Sequence, residues 1–419
     1  VRPRTWVLVL AAVFAVLQLA NVTGRDTPDT KNYLSYALSL RGDGKREAAA
    51  VTIDYACAGR ASIARRNQSV DVIRFRAPSP TRRVEESCRA AEWRGVEARL
   101  RAGQTGGHTV PFMPERFMRI FEVRPGYPAF LVPFLTVFGM KWGVWAAGVV
   151  ITVAGGVLVY LILRTLSVPV PLALTGQALY YVLPCGTTAM RPMTEGLLLA
   201  ATLVAVWGCA LVLHAHRHRS GLALIGGSLL ALFSVKHSQA LFLGLCLAGA
   251  GAVLLARRRG GRGVGAIVVV GLAGALGTVL LARALRYPSE SESLQDLLTG
   301  HFTRPDRTRP WREFLHLEFT FWVEWLRRQL WEPLFAAALA AGAWGALRRP
   351  VFGAFLVAAA GTGILTQAAH PDITIWGGRL IVLAWLLPVV GVPLLLERVA
   401  RERVLLPAQG PPDRAHSLR

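Results

Sequence analysis

The chain is cut into apolar blocks, most of them about 15 to 22 residues long, and the longer ones match the ~30 Å hydrocarbon core of a bilayer at ~1.5 Å rise per residue. The blocks run over residues 5–22, 142–163, 167–184, 195–213, 221–235, 240–256, 264–285, 334–347, 351–369 and 379–397. Short arginine-bearing segments separate them. Of 419 residues, 53% are hydrophobic and 17% charged, and a single soluble core of this length does not absorb so many separate apolar runs. The expected fold class is an all-α polytopic membrane protein with about ten transmembrane helices. One decision lies at 221–256. A single helix there would be roughly 54 Å long, well beyond a bilayer's need. The polar Lys236-His237-Ser238-Gln239 interrupts it, so two short helices joined by a tight turn are expected.

Arginine placement sets the expected orientation. The first block follows Arg2 and Arg4, lacks a small-residue cleavage site after it, and reads as an uncleaved helix entering from the cytoplasm. The connections then predicted to be cytoplasmic carry Arg164, the run 214–219 with Arg217 and Arg219, the run 257–262 with Arg257, Arg258, Arg259 and Arg262, and Arg348-Arg349; the tail opens with Arg398, Arg401 and Arg403. All are basic, as cytoplasmic loops are, and both termini are placed inside. Residues 128–139 are apolar but too short to span, and a crossing there would move every later arginine cluster outside. They are expected to lie in or dip into the outer interface. One transmembrane unit covers 1–403, and 404–419, rich in Pro and Gly, is expected to be disordered.

The two long outward loops are 23–141 and 286–332. Within the first, 85–101 has helical spacing, 70–76 looks like a short strand, and 114–122 like an interfacial helix. In the second, 311–331 is dense in Trp and Phe interspersed with Arg and Glu, the pattern of an amphipathic helix on the outer leaflet. It serves either as an anchor or as one wall of a lipid-substrate groove.

The net charge of +22 comes almost wholly from arginine, with lysine only at Lys31, Lys45, Lys141 and Lys236. Because the arginines flank apolar blocks and do not gather on one soluble face, nucleic-acid binding is set aside. The arginine bias and Val at position 1 suggest a GC-rich bacterial gene of actinobacterial type with an alternative start codon, hence a bacterial plasma membrane. Cys209 and Cys246 read as packing residues and Cys185 sits alone at a helix end. Cys57 and Cys88 share the first loop and either pair or remain two thiols. His214, His216 and His218, spaced by two, do not share a helical face and read as a solvated loop. No phosphate-binding loop, dinucleotide fingerprint or zinc spacing is present, and no internal repeat of the kind built into many transporters. No cofactor is expected, with a divalent metal left open.

Acids and bases cluster at the outward helix ends. Asp26 and Asp29 follow the first helix, and Asp29, Tyr33 and Ala37 would share one helical face, although an Asp beside Pro28 also suits a helix cap. Arg124 to Pro128, including Tyr127, introduces the interfacial segment. Arg191 to Glu195 heads one helix, Lys236 to Gln239 forms an outward turn, and Arg379 starts the last helix. Each of these basic residues equally suits a headgroup anchor.

This arrangement resembles the GT-C superfamily of membrane glycosyltransferases, in the branch of protein O-mannosyltransferases and lipid A aminoarabinose transferases. The likeness rests on Asp29/Tyr33/Ala37, Arg124–Pro128, Glu195 and Lys236–Gln239 in that order, over roughly residues 5–256. Lys236 stands where that branch uses Arg, and an insertion around 53–83 is foreign to it. The resemblance implies an inverting, carboxylate-base enzyme that moves a sugar from a polyprenyl-phosphate donor to a cell-envelope acceptor. It implies Asp29 as base and Glu195 as an orienting acid. Lys236, Arg191, Arg379 and Arg124 would hold the donor phosphate, and Tyr33, Tyr127, His237 and Gln239 would touch substrate. Asp54 is a candidate second loop carboxylate. The alternatives are a transporter or flippase of a lipid-linked precursor and a non-catalytic lipid-binding relative. A transporter would need charge within mid-membrane helices, whereas here charge gathers at the outer ends.

Overall fold

The computed structural model describes residues 2–375 and 377–405, with side chains described through residue 397, and contains no strand among them. The first apolar block forms α1 (Pro3–Gln18), extended by one 3-10 turn to Asn21. The first loop holds α2 (Thr30–Arg41), α3 (Lys45–Ser69), α4 (Thr81–Arg101) and α5 (Glu115–Glu122). Then come α6 (Gly126–Thr165), α7 (Val170–Val182), α8 (Pro184–Ala189), α9 (Glu195–Leu213), α10 (His218–Ala256) and α11 (Arg262–Ala284). The second loop forms α12 (Glu290–Thr299) and α13 (Pro310–Trp331), and α14 (Leu334–Leu347), α15 (Pro350–Ala368) and α16 (Leu386–Leu405) close the chain.

Seven helical stretches among the described residues are long and apolar enough to cross a membrane, or eight if α13 and α14, bent by 89°, count as one broken span. The difference from the ten sequence blocks has a physical origin. At 13 and 14 residues, α7 and α14 reach only ~20 Å, short of the hydrocarbon core, and the two blocks of 221–256 count once because they follow one another within α10 across a break.

That run is not straight. Its backbone leaves helical geometry at Lys236 (φ −164°, ψ 95°). Glycines of α10 and α11 report the path on either side. Gly263 faces His218 and Gly274 faces Leu229, so the first half of α10 runs parallel to α11. Gly251 faces Val268 and Gly244 faces Ala275, so the second half runs antiparallel. The chain therefore reverses at Lys236, as the polar tetrapeptide predicts. A second break falls at Gly139, whose φ of +68° suits glycine. Gly143 stands against the backbone of Phe134 and Leu135, so residues 126–138 fold back on the rest of α6.

One end of the bundle collects the arginine connections. Arg349 donates to the Leu166 carbonyl at 3.4 Å and lies 3.3 Å from the Glu397 carboxylate, the His214 ring lies 6.2 Å from that of Phe352, and Gly263 faces Val212. The four connections with Arg164, 214–219, 257–262 and Arg348-Arg349 thus share one face of the bundle. The first loop caps the opposite end.

Within that loop α3 and α4 form a hairpin bolted by the Cys57–Cys88 disulfide (Cα–Cα 5.6 Å) and the Asp54–Arg89 ion pair at 2.7 Å. The strand expected at 70–76 is absent. The Asp71 carboxylate accepts the backbone N–H groups of Ile73 and Arg74, each at 2.9 Å, and winds the segment into turns. Along α13, Leu315, Phe319, Val323, Leu326 and Leu330 form an exposed apolar face while Phe321 and Gln329 are buried on the other. Residues 406–419, most of the tail expected to be disordered, lie outside the described residues.

The helix packing predicts a specific sensitivity. Gly345 of α14 and Gly391 of α16 meet backbone to backbone, leaving no room for a Cβ, as small residues allow in membrane helix pairs. Gly345→Val is expected to destabilise the fold by about 1–3 kcal/mol of overpacking, read as a lower melting temperature in detergent. Gly361→Val, at an open site, serves as the unchanged control.

Candidate functional site

Asp29 occupies the N-cap position of α2 but its carboxylate makes no cap hydrogen bond. It turns instead to Arg379, whose Nη2 forms a close ion pair with Asp29 Oδ2. The Arg379 Nε also points at Glu195 Oε1, 3.3 Å away. The second Glu195 oxygen accepts from Thr194 Oγ1 at 3.1 Å. One guanidinium, at the first residue of the last apolar block, thus joins the start of α2 and the start of α9. The three side chains are 22%, 6% and 19% exposed for Asp29, Glu195 and Arg379, so the cluster is shielded yet reachable. Backbone ties hold its frame. Thr30 Oγ1 donates to the Pro192 carbonyl at 3.1 Å, and Thr188 Oγ1 to that of Gly378 at 2.6 Å.

Basic and aromatic side chains line the flank. Tyr33, one turn after Asp29, is buried with its hydroxyl 3.5 Å from Arg124 Nη1, and its ring meets Tyr127 edge-on at 5.5 Å. Burial pushes the Tyr33 phenol up, opposed by Arg124, so it stays neutral. Lys236, at the break of α10, is an electrostatic neighbour of both Arg124 and Glu195. Burial first, and Lys236 next, lower the His370 imidazole.

The remaining expected site residues are distributed differently. His237 packs on the rings of Tyr287 (5.2 Å) and Phe233 (6.5 Å) beside the cluster. Arg191 is exposed, and its side chain makes no hydrogen bond or ion pair among the described residues. Gln239 is fully buried, with its Nε2 donating to Thr362 Oγ1 at 2.8 Å and its Oε1 accepting from Thr366 Oγ1 at 2.9 Å. It pins α10 to α15. Asp54 is engaged by Arg89 on the outside of the α3–α4 hairpin. Among the described residues no group of three or more His, Cys, Asp or Glu side chains is placed to hold a metal ion.

Asp29 also borders a cavity of about 340 Å³ between the α2 entry, α3 and the second loop, lined among others by Asp26, Asn32, Phe112, Phe117 and His301. Its volume is at the small end of ligand sites. Two acceptors there lack partners: Asn32 Oδ1, in a residue 3% exposed, and Asp26 Oδ1. Buried polar atoms ordinarily find one. The nearby cations do not fill the need, since Lys31 and Arg60 both pair with Glu92 at 2.7 and 3.0 Å. Burial pushes the Asp26 carboxyl up to about 6, with Arg60 acting against it. The carboxylate lies so close to Gly59 of α3 that no Cβ fits. Sequence reading missed Asn32 altogether and saw Asp26 only as a neighbour of Asp29. No local pattern marks either, because the pocket is completed by α3 and by His301 far along the chain.

No protein-family model, curated protein or solved structure matches the chain.

The Asp26 environment predicts a pH signature. Its carboxyl titrates near 6 when folded and near 3.8 when unfolded. Between those values the native state binds more protons, so its ionisation penalty is absent below the lower value and complete above the higher. Asp26→Asn removes the penalty. Its melting temperature is expected to exceed the wild type's at pH 7.5, by the equivalent of about 1–3 kcal/mol, with the difference vanishing by about pH 3.

Proposed function

We propose that the chain is a membrane glycosyltransferase that moves a sugar from a polyprenyl-phosphate donor to an acceptor hydroxyl, with inversion, at the extracytoplasmic face of a bacterial plasma membrane. The observation that carries this reading is the meeting of Asp29, Glu195 and Arg379, far apart in sequence, at one end of a helix bundle. The opposite end holds the arginine connections, which by the positive-inside pattern belong in the cytoplasm, and this supports an extracytoplasmic cluster.

The chemistry needs a base and a cation. The acceptor O–H gives its proton to the Asp29 carboxylate as the acceptor oxygen bonds to the anomeric carbon. The bond from that carbon to the phosphate oxygen breaks, and its electron pair leaves on the polyprenyl phosphate. Arg379, Lys236 and Arg124 are the cations available to that phosphate. Without donor, Arg379 pairs with both acids. A phosphate competing for the guanidinium would draw it from Asp29 and leave the carboxylate a stronger base. Glu195 positions Arg379 for that exchange. Exposed Arg191 reaches the donor only if it swings toward the cluster. The cavity beside Asp29 suits the acceptor: the orphaned Asp26 and Asn32 oxygens await hydroxyl donors, and Phe112 and Phe117 supply apolar faces. The exposed apolar face of α13 gives the donor's lipid a neighbour. Glycan, lipid and protein hydroxyls all satisfy these contacts.

Transfer from labelled polyprenyl-phosphate sugars by protein in proteoliposomes tests the proposal. Asp29→Asn is expected to lower turnover by about 10²–10⁴-fold while donor still binds, and Lys236→Ala to weaken donor binding. Full turnover by Asp29→Asn would remove the base assignment. Movement of the intact lipid-linked sugar across the bilayer, without transfer, would favour a flippase.

A further inference from the structure

The turn between α3 and α4 exposes an apolar cluster that the site does not use. Val70, Val72, Ile73 and Phe75 are 80%, 89%, 90% and 53% exposed. Exposed arginines surround them: Arg65 and Arg66 at the end of α3, Arg74 and Arg76 in the turn, Arg82 and Arg83 at the start of α4. The acids nearby are engaged locally, Asp71 by Arg74 and Glu86 by Arg82. A cluster of bare aliphatic and aromatic side chains this size is costly in water.

The direction of α3 shows what covers it. The chain leaves α1 at Asn21 and climbs through Gly24 and Asp26 to Asp29. Gly59 of α3 faces Asp26, while Ile63 and Arg66, further along, face Gly24. Successive turns of α3 therefore descend beside the rising chain, back toward the end of the first span. From Arg66 to Val70 the helix advances a further ~6 Å. That brings the apolar turn to the level at which α1 leaves the hydrocarbon.

We propose that the 70–77 turn is a membrane-seated tip, with Val72, Ile73 and Phe75 inserted at the headgroup–acyl boundary of the outer leaflet and the arginine collar bound to anionic headgroups. Apolar insertion flanked by basic residues is how interfacial segments hold to such surfaces. The disulfide-bolted hairpin then rests on the bilayer at its far end, and α3, which walls the cavity through Ala56, Arg60 and Ile63, is fixed relative to the membrane plane.

The test uses the full chain in nanodiscs of phosphatidylcholine, with or without phosphatidylglycerol. An environment-sensitive fluorophore is attached at Ile73→Cys or, as a control at the opposite end of the hairpin, at Arg101→Cys, with unsubstituted protein reporting any labelling of Cys246. The expected result is a blue-shifted emission at 73 and quenching by brominated lipid about two-fold or more above that at 101. Phosphatidylglycerol should deepen the quenching, and replacing Arg74, Arg76, Arg82 and Arg83 by Gln should abolish that increment. A water-like, unquenched label at 73 in both lipids overturns the proposal. So does a shielded label that lipid does not quench, which would mean a protein cover. Quenching indifferent to phosphatidylglycerol overturns the headgroup assignment.

Discussion

A single guanidinium organises the end of the helix bundle opposite the arginine connections. Arg379 bridges Asp29 and Glu195, and each of the three comes from a different part of the chain. Two carboxylates this close would repel without a cation between them, and a lone guanidinium so shielded would carry a desolvation cost of several kcal/mol. The cluster is therefore stable only when all three segments are in place. The ties from Thr30 to the Pro192 carbonyl and from Thr188 to the Gly378 carbonyl hold those segments together independently of the charges.

The same demand explains where charge is absent. Ionisable groups are expensive in hydrocarbon, and the apolar blocks keep theirs at the two ends. Lys236 is the instructive case. In the sequence it stands in the middle of a long apolar stretch. The reversal of the chain at that residue converts a mid-helix lysine into one at an end of the bundle, beside Arg124 and Glu195. A straight α10 would have stranded it.

Much of this was legible beforehand, and for identifiable reasons. Hydrophobic block length and arginine position are local properties, so the helices, the shared face of the basic connections, and the reversal at Lys236 could be read directly. Asp29, Glu195 and Arg379 were recognisable as charged residues at outward helix ends. Their partnership was not, because it depends on how α2, α9 and the last block pack. Gln239 shows the converse. Its place after Lys236 matched a motif, yet its amide is satisfied by Thr362 and Thr366 of α15, a neighbour nothing in the local sequence announces. The strand expected at 70–76 failed because β-branched residues favour a sheet only where a partner strand exists; Asp71 supplied a turn instead. The helix count differed because the apolar block at 167–184 forms a helix only between Pro169 and Leu183, and the block at 334–347 was already too short to span.

The first loop follows from a constraint the bundle alone would not impose. A charged cluster at one end of a helix bundle is open to solvent unless something covers it. α2 and α3 provide the wall, and Gly59 is the point at which α3 comes near enough for Asp26 to be buried against it. The disulfide then stabilises the α3–α4 pair by restricting its unfolded alternatives, and the pair cannot drift from the cavity without opening both that wall and the Lys31–Glu92–Arg60 bridge. The insertion around 53–83, which set this chain apart at the level of sequence, is in this sense the part that turns an exposed group of charges into an enclosed pocket.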